Sequence, residues 1–579
     1  MTNSEAERDN LCINTIRALS IDAVQAARSG HPGAPLGAAT MAYVLWERFL
    51  RHNPADPLWR DRDRFVLSAG HASALLYSLL HLTGYDISLD ELRRFRQWAS
   101  QAPGHPERNA RIGVETTTGP LGQGFGNAVG MAMAERWLAA RYNRPGHTIV
   151  DHRTYCIVSD GDLQEGLSSE AASLAGTLKL GRLITLYDSN NISIEGSTDI
   201  TFTEDVAGRF AAFGWRVMGP IDGLSVPAVE QALQDAISHE SRPTLIICRT
   251  IIGYGSPNKA GSAASHGEPL GEEETRLTKK QLRWPHEEPF TVPASVLESM
   301  RTARARGAAY QGQWQDRLAA YAQRYPAEAA SFQREMRGLL PDGWESLLDP
   351  VAQTGETAAT RVTAGKALNA LAAGIPALIG GSADLSPSTK TTISGSGSFA
   401  PPDYSGRNIH FGVREHAMAA ICSGMALHGG AIPYASTFLV FYDYMRPAVR
   451  LAAMMRLHVI FVFTHDSIGV GEDGPTHQPI EQLLGLRSVP GLTVIRPADS
   501  AEAVEAWRAA MANSSGPTAL VLTRQNLPAL DRSRGEPATA LARGAYVIWE
   551  ADHSPQVVLI ATGSEISIAI SAAVALWQQ

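Results

Sequence analysis

Leu457-His458-Val459-Ile460-Phe461-Val462-Phe463, followed directly by T-H-D-S-I-G-V-G-E-D-G-P-T-H-Q-P over residues 464–479, decides how this chain is read. The first seven positions are apolar and rich in β-branched and aromatic residues, the pattern of a buried strand. The chain then becomes a glycine-rich polar loop. It carries two histidines, His465 and His477, and three carboxylates, Asp466, Glu472 and Asp473. Few of these side chains serve a core. Loops at the carboxyl ends of strands are where open α/β sheets bind ligands, so the loop reads as a shaped site. The plainer reading is a solvated surface loop.

Outward from this strand the same alternation recurs. Residues 155–158 and 183–187 predict strands with a helix over 165–180 between them. Residues 377–379, 409–413, 493–496 and 519–523 predict further strands, with helices over 417–427 and 501–511. Strands alternating with helices predict parallel α/β sheets. At 579 residues the chain exceeds a single core and calls for two or three domains. The expected layout is 1–335, 336–540 and a partial domain over 541–579. Residues 284–355, charged and punctuated by Trp284, Trp314 and Trp344, predict a helical connector over the surface. Residues 557–561 predict a strand, 562–565 a turn, and 566–577 a helix.

The formal net charge of −8 argues against nucleic acid as a partner. The four cysteines, Cys12, Cys156, Cys248 and Cys422, form no C-x-x-C pair, which argues against a disulfide framework and fits a cytoplasmic location. Residues 1–10 contain no apolar core of a signal peptide. No apolar run reaches the roughly 18 residues that would predict a membrane span.

Asp160-Gly161 ends the first of the early strands, and Asn190 follows the next, thirty positions on. Adjacent parallel strands would bring both oxygens to one sheet edge. These are hard ligands suited to Mg²⁺ or Ca²⁺, and such an ion would in turn bind a diphosphate. Alone, an Asp-Gly pair is also an ordinary turn. Residues 116–124, T-T-T-G-P-L-G-Q-G, open a helix, and a glycine-rich turn there offers N–H groups to an anion or simply packs tightly. Glu415, in F-G-V-R-E-H-A-M, is on its own a helix-starting acid. Phe438, Phe441 and Tyr444 recur every three residues, the spacing of an ordinary core stripe. His31, His71, His105 and His266 each sit among Gly, Ser or Pro. One such histidine is incidental; four, with His465 and His477, suggest proton traffic near neutral pH. Arg361 and Arg524, each taken alone, read as surface charges, although Arg524 ends a β-rich run and so falls at a sheet edge.

Taken together, residues 116–124, Asp160-Gly161 with Asn190, F-G-V-R-E-H-A-M and the 464–479 loop resemble the transketolases over nearly the whole chain. These thiamine-diphosphate enzymes move two-carbon units between sugar phosphates. The resemblance implies two thiamine-diphosphate-binding-type α/β domains, parallel sheets flanked by helices, and the start of a third α/β domain from Leu541. In the family that third domain is longer, so the chain is expected to lack most of it. The resemblance assigns Asp160, Asn190 and the Ile192 carbonyl to the metal. Ser159 stands where the family usually has Gly, a small-for-small exchange. His71, Gly119, Pro120, Leu121, Gly161, Glu165, Asn190, His266, Asp384, Phe438, Phe441 and Tyr444 are expected to contact the cofactor. Glu415 becomes the acid that protonates the cofactor's N1′, allowing the C2 carbanion to form. His31, His105, His266 and His477 become substrate and proton-transfer contacts. Asp473 holds a donor hydroxyl, and Arg361, Ser388, His465 and Arg524 clamp the phosphate. A homodimer with the site at the subunit interface is implied. Dihydroxyacetone synthase and deoxyxylulose-phosphate synthase are neighbouring readings, and a non-catalytic thiamine-binding subunit is a third.

Overall fold

The computed structural model describes residues 3–352 and 357–578. Gly355, the far end of the expected connector, lies outside the described residues. The chain divides into two compact units, Met1–Ala329 and Ala330–Gln579.

The first unit is built on β1 (Arg64–Leu67), β2 (Thr154–Ser159), β3 (Leu183–Ser189), β4 (Arg216–Asp222) and β5 (Thr244–Arg249). They form one sheet in the order β1-β2-β3-β5-β4. Every pairing is parallel. The second unit has β6 (Leu378–Ser382), β7 (Asn408–His410), β8 (Ile432–Phe438), β9 (Ile460–Thr464), β10 (Thr493–Ile495) and β11 (Thr518–Leu522). Their order is β10-β11-β9-β8-β6-β7, again parallel throughout.

Parallel sheets are covered on both faces, so their inner strands read as continuous apolar runs rather than alternating ones. All residues of β2, β3, β8, β9 and β11 are buried. Crossover helices run over Gly166–Thr177, Glu415–His428 and Ser500–Ala512, near the expected spans. The strand expected over 409–413 stops at His410. Its neighbour β6 ends at Ser382, opposite His410, and leaves nothing to pair with Phe411 onward.

The connector is helical over Ala294–Met300, Thr302–Arg324 and Pro326–Met336. It is anchored by its tryptophans rather than merely lying on the surface. Trp314 is buried and its indole N–H donates to the Ile149 carbonyl at 2.8 Å. Trp344 packs into the core of the second unit beside Leu348.

The strand expected over 557–561 does not form. A strand requires a neighbour to accept its ladder, and Val558 and Ile560 are instead 75% and 93% exposed. The expected helix does form, over Ile566–Trp577, but buries none of its residues.

Candidate active site

In both units the chemistry-bearing residues sit where strands end. In the first, Asp160 follows β2 and Asn190 follows β3, and the register sets Ser159 opposite Asp188. The Asp160 carboxylate is buried. It accepts from the Tyr187 hydroxyl and the backbone amides of Asn190 and Asn191. Asn190 accepts from the Ile192 amide at 3.0 Å and donates to Asp188 at 3.1 Å. The Asp188 carboxyl is pushed up to about 7 by burial, with help from the Asp160 charge. Burial raises Asp160 too. Among the described residues neither carboxylate has a Lys or Arg ion-pair partner. Two buried carboxylates in want of a positive charge, beside the Asn190 side-chain amide, are oxygen donors that fit a hard divalent cation.

The glycine-rich turn is fixed by a residue the sequence reading did not single out. Asp162, wholly buried, accepts from the Gly122 amide at 2.9 Å, the Ser68 hydroxyl at 2.6 Å, and the Ser159 amide and hydroxyl at 2.9 and 3.0 Å. It ties the ends of β1 and β2 to the turn. Gly70, after β1, runs so close to Gly119 that an added Cβ would lie 2.5 Å from the Gly119 nitrogen. Pro120 and Glu165 are exposed, and Leu121 is half-buried. The helix opened by the turn runs Gln123–Tyr142, as the sequence predicts.

Four histidines from four separate loops converge in this unit. The His31 ring lies 5.3 Å from His71, 6.0 Å from His105 and 5.7 Å from His266, each edge-on. His71 stacks on His266 at 5.4 Å. Burial first, then the neighbouring histidines, lower His31 to about 4 and His71 to about 3; Arg96 also acts on His31. Burial lowers His105 and His266 as well. At neutral pH all four are uncharged, and each ring can donate from one nitrogen and accept at the other. Among the described residues the buried Nδ1 of His266 has no hydrogen-bond partner, so the site retains polar capacity for a ligand.

In the second unit Glu415 is buried at the start of its helix. Burial raises its pKa, opposed by the Thr437 hydroxyl donating at 3.3 Å. The aromatic stripe is a stack. Phe438 and Phe441 lie 6.0 Å apart at 16°, and Phe441 and Tyr444 lie 5.9 Å apart at 22°. Phe438 is buried and Tyr444 is 64% exposed, so the stack runs from core to surface. His477 stands edge-on to Phe441 at 5.5 Å. His465, after β9, packs against Phe438 and is lowered to about 3 by burial and by the charges of Arg361 and Arg524. Arg361 donates to the Ser388 carbonyl at 2.8 Å, and Arg524 pairs with Glu472. The structure thus brings together the phosphate-clamp candidates Arg361, Ser388, His465 and Arg524. Asp384 and Asp473 are exposed and are not joined to that group by hydrogen bonds.

Parallel sheets with titratable residues gathered where their strands end describe an α/β ligand-binding architecture. Residues 8–341 match the family described as "Transketolase, thiamine diphosphate binding domain". Residues 356–529 match "Transketolase, pyrimidine binding domain". The transketolase of Geobacillus stearothermophilus is 56% identical over 570 residues, covering 98% of this chain and 85% of that protein. The structure of transketolase from Leishmania mexicana superposes with a TM-score of 0.95 at 46% identity, over 99% of this chain and 84% of that one. A Pichia stipitis transketolase in complex with sedoheptulose 7-phosphate gives 0.95 at 45% identity, over 98% of this chain and 84% of that one. The chain belongs to the transketolase family, and its activity is ketol transfer.

Proposed function

We propose that the chain carries a two-carbon ketol unit from a ketose phosphate such as xylulose 5-phosphate to an aldose phosphate such as ribose 5-phosphate, in the pentose phosphate pathway. The convergence of four uncharged histidines carries this reading, because neutral imidazoles can both donate to and accept from sugar oxygens. The sugar-phosphate complex of the Pichia stipitis relative supports it. Asp160, Asn190 and the Ile192 carbonyl would hold a divalent cation, Mg²⁺ or Ca²⁺, and the uncompensated Asp160 and Asp188 carboxylates support that.

When bound, thiamine diphosphate supplies a carbon nucleophile and an electron sink. The chain's own residues do the rest. His71, Gly119, Pro120, Leu121, Gly161, Glu165, Asp384 and the Phe438–Phe441–Tyr444 stack seat the cofactor. Glu415, biased by burial toward its protonated form, holds a proton for the cofactor's N1′. His31, His105, His266 and His477 hydrogen-bond the sugar hydroxyls and the developing alkoxide, and Asp473 orients a donor hydroxyl. Arg361, Ser388, His465 and Arg524 take the phosphate.

We infer a homodimer with sites shared between subunits. Large apolar residues exposed on the lone chain, among them Ile468, Ile480 and Leu484, support it. We also infer a cytoplasmic enzyme without nucleic-acid or membrane partners. The net charge of −8 and four buried free cysteines support this. No helix among the described residues is long and apolar enough to cross a membrane.

The test is glyceraldehyde-3-phosphate release from xylulose 5-phosphate plus ribose 5-phosphate, with each cofactor component omitted in turn. Release that needs acceptor, thiamine diphosphate and metal supports the reading. Turnover only with formaldehyde, or with pyruvate plus glyceraldehyde phosphate, would move the assignment to the neighbouring synthases. A folded, cofactor-loaded protein inert on all of these is a binding subunit.

A further inference from the structure

Arg96 lies beside the histidine quartet and has no part in the assignments above. It adopts a left-handed backbone conformation, φ 62°, uncommon for a residue with a side chain. Its amide is held by the Ala102 carbonyl at 3.0 Å. The guanidinium passes close to Gly104, where an added Cβ would fall 3.0 Å from Nε and 3.1 Å from Cζ. One terminal nitrogen donates to the Ser29 hydroxyl at 3.0 Å, and the other meets Nδ1 of His31 at 3.4 Å. An unusual backbone, a bare glycine alongside and two polar anchors aim this cation at one ring atom.

The chemistry of the pair allows one assignment. A guanidinium carries only donors, so Nδ1 of His31 must accept and the ring proton must sit on Nε2. Nε2 lies on the Gly267 side, 3.6 Å from where a Cβ on that glycine would stand. The rings of His71, His105 and His266 surround His31. We propose that Arg96 is a positioning residue: by donating to Nδ1 it fixes His31 as the Nε2–H tautomer, so that His31 meets a substrate oxygen as an uncharged donor. The fixed tautomer stands on the geometry alone; its use on a sugar oxygen rests on the ketol-transfer reading above.

The groups facing His31 are Arg96, His71, His105 and His266, and Tyr77 lies near Arg96. None of the facing groups is a carboxylate, so nothing in contact offsets the bias toward the neutral ring. Burial acts in the same direction.

The experiment is nitrogen-15 NMR of the full chain labelled at histidine, with the His31 signal assigned by His31→Gln. The expected wild-type spectrum has His31 in the Nε2–H form, uncharged across the neutral range. Arg96→Leu should mix the two tautomers and raise the titration midpoint of His31. It should also lower kcat/KM for ketol transfer about tenfold or more, with the acid limb of the pH profile moved upward. Arg96→Lys, which retains a donor and a charge, should restore part of each. A wild-type Nδ1–H tautomer would overturn the proposal, even if Arg96→Leu does not fold. So would an Arg96→Leu protein unchanged in tautomer, midpoint and pH profile. If His31 responds as stated while no sugar is turned over, the hold on the ring stands and the reading of the reaction falls.

Discussion

Phe438 and His465 pack ring on ring, with centroids 3.7 Å apart and planes inclined by 29°. Burial, with the charges of Arg361 and Arg524 acting in the same direction, keeps this histidine uncharged. At neutral pH His465 therefore offers a phosphate a hydrogen bond and no charge, and the charge must come from Arg361 and Arg524. Arg361→Ala or Arg524→Ala should each weaken a phosphorylated sugar by about 1.5–3 kcal/mol, a tenfold to hundredfold rise in KM. The comparison that checks it is kcat/KM for a sugar phosphate against the free sugar. Equal losses on both would remove the arginines from phosphate recognition.

Glu415→Gln retains shape but not the ionisable proton. Turnover should fall by about 10²–10⁴-fold. Binding of thiamine diphosphate with Mg²⁺, followed calorimetrically, should persist, because the proposed diphosphate ligands lie elsewhere in the chain. Near-normal turnover would sink the role given to Glu415.

Asp162 accepts four hydrogen bonds and is fully buried. Asp162→Ala strands the Ser68 hydroxyl and the Gly122 and Ser159 amides. At about 1–3 kcal/mol for each unsatisfied group, partly relieved by water, a loss of about 3–5 kcal/mol is expected. Urea denaturation measures it. A loss under about 1 kcal/mol would show that the turn does not depend on this carboxylate.

Stability should fall on both sides of neutrality. His31 and His71 are lowered to about 4 and about 3 from an ordinary 6.5. Between those values the unfolded chain binds more protons than the fold, so stability is lost as pH drops below 6.5. Glu135, wholly buried opposite Arg182, is raised to about 8. Between 4.5 and about 8 the fold holds a proton that the unfolded chain has released, so stability is lost as pH rises through that range, and above 6.5 nothing from His31 or His71 offsets it. Thermal melts across this range should peak at about pH 6–7, and Glu135→Gln should flatten the alkaline side. A profile that is flat in the wild type contradicts both halves.

If each site is shared between subunits, mixing denatured Asp160→Ala and Glu415→Ala chains and refolding them should restore activity. Half the dimers would be mixed and each would carry one intact site, giving about a quarter of wild-type turnover. No recovery in a refolded dimer would place both residues of a site on one subunit.

Much of this site was legible in the sequence because strands announce their own ends. The apolar runs before Asp160, Asn190, His465 and Arg524 mark where each side chain leaves the sheet. β4 was not legible: it is an edge strand with Gly219-Pro220 inside it and much of its length exposed, so it lacks both the continuous and the alternating pattern. Asp162 and Asp188 went unassigned for a different reason. Their partners include Ser68 and Thr250, 94 and 62 positions away, and only the parallel register brings them together. Residues 557–561 show the converse, since a strand-like composition does not supply a neighbouring strand.

The Asp162 knot has a consequence for how a ligand arrives. Because one carboxylate already binds the ends of two strands and the amide of the glycine turn, the cradle is assembled before anything enters it. The ordering entropy of that loop is spent in folding and is not charged again at association. Cofactor uptake at this floor should therefore resemble docking onto a rigid surface more than the closing of a disordered loop.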